Sequence, residues 1–178
     1  LSKDLADSPS QPIVANVGDI QLLSDGRTVI SLELEADGTI AGLQAALSFD
    51  PSKVTLGQPF LADRMSGFTL QSRIDGDALN VIAYSVTGDA VPAGRGAAIF
   101  IPVTLIDRNA SLDISLTQVT ASDRYAHLVT TQIGANRARN ASLPSSFGLQ
   151  GSLPGFAINS RPCFDGQSVA ILTDLTSH

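Results

Sequence analysis

Residues 40 to 49, IAGLQAALSF, set apolar side chains at Leu43, Ala45, Leu47 and Phe49, with Gly42, Gln44, Ala46 and Ser48 between them. Successive side chains on a strand point to opposite faces, so a period of two describes a strand with one face on a core. Asp50-Pro51-Ser52 then ends it in a turn. Similar β-type segments are read at 12–16, 19–23, 27–36, 53–57, 67–75, 78–86, 96–106, 111–121 and 127–133. Between them stand Asp25-Gly26, Asp37-Gly38, Asp75-Gly76, Gly88-Asp89 and Gly94-Arg95-Gly96, residues that accept a positive φ or preset a turn. Helical periodicity is confined to one short turn around Phe60 to Met65. Short strands at this spacing predict an all-β fold, an antiparallel jelly-roll sandwich of about nine strands. The expected core holds Leu32, Leu34, Leu43, Leu47, Phe49, Val81, Ile99, Ile101, Val103 and Ile114. Pro102 has no N–H for a ladder, which predicts a sheet edge or a bulge there.

The hydrophobic fraction is 43% and the charged fraction 16%, a balance that supports a packed core, and no apolar run approaches the roughly 20 residues that span a bilayer. A net charge of −6 with eleven scattered Lys and Arg argues against nucleic acid as a partner, since phosphate binding needs clustered cations. The leader 1–11 has no apolar core of a secretory signal, and a mature secreted chain would look the same. Cys163 is the single cysteine, so no intrachain disulfide forms, and with only His127 and His178 beside it no zinc cluster is available. The expected organisation is a leader 1–11, a sandwich 12–135, a small polar linker 136–146, and a tail 147–178 too short to be an independent domain.

The stretches "TVISLELEADGTIAGLQAALSFDPSKVTL", "LNVIAYSVTGDAVPAGRGAAIFIPVTLI" and "LDISLTQVTASDRYAHLV" resemble cohesin modules, over roughly residues 12 to 135. That resemblance implies a nine-stranded jelly roll, secreted or at the cell surface, that binds a dockerin, a small calcium-binding helical module, on one flat sheet face. It places part of the face on segments 40–49, 67–75 and 78–86 and on the turn near 128, which contributes Leu128 and Thr130. Alternation reaches the same face from the residues. If Leu43, Leu47, Phe68, Leu70, Ile74, Leu79 and Val81 point inward, then Gly42, Gln44, Thr69, Gln71, Arg73, Asn80, Ile82 and Tyr84 point outward. Cohesins often carry Asn and Asp on the outer face of the strand matching 40–49, where this chain has Gly42 and Gln44. In the tail, "LPSSFGLQG" and "DGQSVAILTD" resemble parts of the C-terminal sorting modules of type IX secretion substrates.

Catalysis is not expected. His127 is the only internal imidazole, and Glu33 and Glu35, which share a strand face as a glycosidase pair might, have no aromatic groove beside them to hold sugar. The alternative reading is a structural or carbohydrate-binding β-sandwich module of a larger secreted or surface protein. Flat carbohydrate sites need aromatic platforms, and the chain has no Trp and two Tyr, Tyr84 and Tyr125. Asp107, Asn109, Asp113, Asp123 and the Asp-Gly turns supply oxygen ligands of the kind Ca²⁺ takes. Aspartate in turns ordinarily serves its own backbone, so no cofactor or metal is assigned. Asn109 and Asn140 each begin an Asn-Ala-Ser glycosylation pattern.

Overall fold

The period-two segments become ladders. The computed structural model describes residues 11–107 and 111–138. In chain order these form β1 (Ile13–Val17), β2 (Gln21–Leu22), β3 (Thr28–Ala36), β4 (Ile40–Phe49), β5 (Val54–Leu56) and β6 (Phe60–Leu61). After a 3₁₀ turn at Asp63–Met65 come β7 (Phe68–Asp75), β8 (Ala78–Ser85), β9 (Gly94–Leu105), β10 (Ile114–Asp123), β11 (Leu128–Val129) and β12 (Thr131–Ile133). One sheet runs β12-β1-β3-β9-β5, with β2 beside β3 and β6 beside β9, and the other runs β11-β10-β4-β8-β7. Neighbours are antiparallel except β1 and β12. No helix among the described residues is long and apolar enough to cross a membrane.

Turn chemistry makes the corners. At Asp37-Gly38, Gly38 takes a φ of +92° that a side chain would disfavour, and the Asp37 carboxylate accepts the Thr39 N–H, carrying the chain from β3 in one sheet to β4 in the other. The inner faces meet in a core that buries all ten residues expected there. At its centre Leu47 lies opposite Leu79 on β8 and Leu116 on β10, each no more than 2% exposed. One partly buried cation ties the start of β9 to β3. From the 3₁₀ turn, Arg64 donates from Nη1 to the carbonyls of Leu34 (3.1 Å) and Gly96 (3.0 Å) and from Nη2 to those of Pro92 and Gly94 (3.0 Å). Its partial burial lowers the guanidinium pKa, while the four carbonyls hold the positive head where β9 begins.

Four sequence expectations need correcting. β9 is an interior strand, and the bulge opposite Leu32 and Glu33 falls at Ala98 rather than at Pro102. Pro102 is tolerated because it faces the break between β5 and β6, where Gly57 donates to its carbonyl (2.8 Å) and no ladder donor is needed. The segment read as one strand at 127–133 splits at Thr130 into β11 and β12, which lie in different sheets. Ile74, read as inward, is 47% exposed although its neighbour Leu79 is fully buried, because the opposing sheet does not cover the far end of the edge strand β7. Pairing also continues past 135 into the stretch read as a linker: Asn136 accepts the Leu116 N–H, Arg137 bridges to Ser115, and Ala138 is 4% exposed against the core. The remainder of that linker, the tail with Cys163 and the sorting-module resemblance, the leader up to residue 10 and both Asn-Ala-Ser sites lie outside the described residues.

Candidate functional site

The register of the five-stranded sheet arranges its outer side chains in rows. Leu128, Ser122, Gly42, Tyr84 and Thr69 form one row, Thr120, Gln44, Ile82 and Gln71 the next, and Gln118, Ala46, Asn80 and Arg73 a third. Nine of the ten predicted face residues are therefore brought together on one surface. Thr130 is not. It stands where the chain leaves this sheet, and its carbonyl accepts the N–H of Ile13 (2.9 Å) on β1 in the other sheet.

Sequence reading missed Thr120, Ser122 and the turn that follows them. Strict alternation from the buried Ile114 and Leu116 would have turned both inward. A bulge between Leu116 and Gln118 inserts Thr117, whose hydroxyl donates to the Ala46 carbonyl (3.0 Å). Every later residue of β10 is thereby moved to the opposite face: Val119 and Ala121 pack on the core, and Gln118, Thr120 and Ser122 face out.

The face is polar and carries two open depressions, one of about 340 Å³ lined by Gln71, Arg73, Asn80 and Ile82, the other at the opposite end. There Gly42, Gln44, Ile82, Tyr84, Ser122 and Leu128 line an open depression of about 430 Å³ together with Thr120 and Ala126. Gly42 lies in its floor, where a Cβ would fall 2.5 Å from the Ser122 hydroxyl and require that hydroxyl to rotate away. Its walls are apolar and unpartnered among the described residues: Ile82 is 43% exposed, Tyr84 37% and Leu128 78%. No charged side chain lines it. Arg73 and Asp75 pair at 3.7 Å at the far corner.

The β10–β11 turn is set by one carboxylate. Asp123 accepts the N–H groups of Tyr125 (2.8 Å) and His127 (2.9 Å) and lies 3.2 Å from His127 Nδ1, while Ala126 adopts a φ of +64°. The His127 N–H bond, then that of Tyr125 and the His127 ring, hold the Asp123 carboxyl below its ordinary 3.8, against some desolvation that raises it. A depressed folded value means that the turn's contribution is complete above the unfolded pKa and lost as pH falls through the folded one. The amide resonances of Tyr125 and His127 should therefore titrate with a midpoint below 3.8. A midpoint at or above that value would count against this capping.

Of the carboxylates read as oxygen donors, Asp25, Asp37 and Asp123 each accept a backbone N–H two residues on, as Asp50 does in its own turn, and Asp75 pairs with Arg73. Among the described residues no three His, Cys, Asp or Glu side chains converge. Glu33 is tied to Arg95 (3.1 Å) across β3 and β9, away from this face.

Comparison with protein-family models and with curated proteins gives no match. Solved structures do match. A chain of a type I cohesin–dockerin complex from Clostridium thermocellum aligns with a TM-score of 0.60 at 12% identity, over 72% of this chain and 99% of that one. A non-cellulosomal cohesin from the archaeon Archaeoglobus fulgidus aligns at 0.54 and 12%, over 76% and 94%. A cohesin module of a family 33 glycoside hydrolase from Clostridium perfringens aligns at 0.56 and 10%, over 71% and 96%. The chain is a β-sandwich with a cohesin-like fold.

Proposed function

We propose that this chain is a non-catalytic protein-interaction module, secreted or held at a cell surface, that takes a protein partner on the outer face of its five-stranded sheet. The observation that carries the reading is the exposed Ile82, Tyr84 and Leu128 around a glycine-floored depression, ringed by Gln44, Gln71, Thr120 and Ser122. An apolar centre inside an uncharged polar rim has the make-up of an interface hot spot. A dockerin-type module is the first partner class to try, because cohesins of this fold appear in complexes with dockerins. Gly42 and Gln44 give the contact a different chemistry from an Asn and Asp face, one that favours an aliphatic side chain seated in the depression over a hydrogen-bonded polar one.

The experiment is titration of the full chain and its Tyr84→Ala variant against dockerin modules from the source organism, with polysaccharides in parallel. The variant should lose about thirtyfold in partner affinity, roughly 2 kcal/mol, with little change in stability. Unchanged affinity would remove Tyr84 from the site. Retention on a polysaccharide, with no binding of any dockerin, would replace the proposal by the sugar-binding reading.

A further inference from the structure

The edges of the two sheets are unequal. Among the described residues, β5 and β12 are three residues long and β2, β6 and β11 two, whereas β7 runs for eight with one side unpaired. Long open edges recruit other strands, and proteins ordinarily blunt them with proline, bulges, brevity or charged side chains. Of these β7 carries only charges, Arg73 and Asp75: it contains no proline, its ladder with β8 shows no register shift, and among the described residues no turn or loop backbone hydrogen bond reaches residues 68–75 from elsewhere. Its far half carries a particular pattern. Arg73 and Asp75 stand on the outer face, 80% and 72% exposed at the side chain, and on the other face between them Ile74 is 47% exposed.

We propose that β7 pairs with β7 of a second copy of this chain, antiparallel and centred on Ile74. The charges select both the occupant and the register. Centring on Ile74 sets Arg73 opposite Asp75 of the second copy and Asp75 opposite its Arg73, and stacks Ile74 on its own equivalent. Centring on Arg73 would oppose like charges, and centring on Ser72 would leave both charges facing neutral residues. Directly opposed unlike charges on a sheet stabilise a pair and like charges destabilise it. The stretch is thus complementary to itself when reversed, as a two-fold contact requires. An unrelated strand would have to match Arg73 and Asp75 separately. The hairpin at Gly76–Asp77, with Gly76 at φ +62°, closes β7 onto β8 in two residues and leaves this end free of a bulky loop. Because the two-fold stands perpendicular to the sheet, the three paired residues of each β7, Arg73 to Asp75, join the two sheets edge to edge with both outer faces on the same side. The contact is small and so belongs to the weak class.

The test is sedimentation equilibrium of the full chain from about 10 µM to about 1 mM, where weak association is measurable. Reversible dimerisation is expected. Arg73→Asp and Asp75→Arg should each weaken it by about tenfold or more, and the double variant Arg73→Asp/Asp75→Arg should return to within about threefold of the original. Ile74→Lys should abolish it. These side chains are exposed, so each variant should keep the parent's unfolding midpoint. A monomer throughout the range overturns the proposal. Dimerisation that survives both single charge reversals and Ile74→Lys overturns the assignment to this edge, and loss in both singles without recovery in the double overturns the register.

Discussion

Leu47→Ala is expected to lower the free energy of unfolding by about 2–5 kcal/mol, the range for a fully buried leucine whose surroundings cannot collapse. Leu47 is fully buried in the middle strand of its sheet, with Leu79 on one side and Leu116 on the other, and it faces the opposing sheet. Truncation removes apolar contacts from three strands at once, and the ladders on both sides prevent β4 from moving to fill the space. The neighbouring Gln44→Ala, on the exposed face of the same strand, should change stability by less than about 0.5 kcal/mol. Urea unfolding monitored on both variants checks this, with the denaturant slope unchanged. A Leu47→Ala loss below about 1 kcal/mol would mean that the core does not close over β4 as described.

The second large effect belongs to a polar residue. Arg64→Met keeps the aliphatic stem but leaves the carbonyls of Leu34, Pro92, Gly94 and Gly96 without their shared donor, two of these bonds being partly buried. A loss of about 2–4 kcal/mol is expected, with exposed carbonyls recovering part of their hydration. Arg64→Lys should recover less than half of it, because one ammonium with three donors cannot span four carbonyls that a planar fork reaches. Hydrogen exchange should also accelerate at Gly94 to Ala97, where β9 begins, while the β4–β8 ladder stays protected. Full rescue by lysine would show that only the charge matters here, not the fork.

Much of this molecule was legible because a strand declares itself locally. The alternation of Leu43, Ala45 and Leu47 with Gly42, Gln44 and Ala46 encodes which side chains share a side, and the Asp-Gly pairs encode where the chain turns. From those two signals come the sandwich, its buried core and the three-strand part of the candidate face. Alternation says nothing, however, about how two strands count against each other. The extra residue at Thr117 exists only relative to β4, and it alone brings Thr120 and Ser122 beside Gly42 and Gln44. Nor does it say which sheet a strand joins: the run from 127 to 133 reads as one strand, yet Thr130 commits its carbonyl to β1 and divides the run between sheets. Pro102 and Ile74 carry the same lesson from opposite sides. A residue's pattern assigns it a direction, but whether that direction meets a ladder, a gap or water depends on how far the neighbouring strands and the opposing sheet extend, and only tertiary structure decides that.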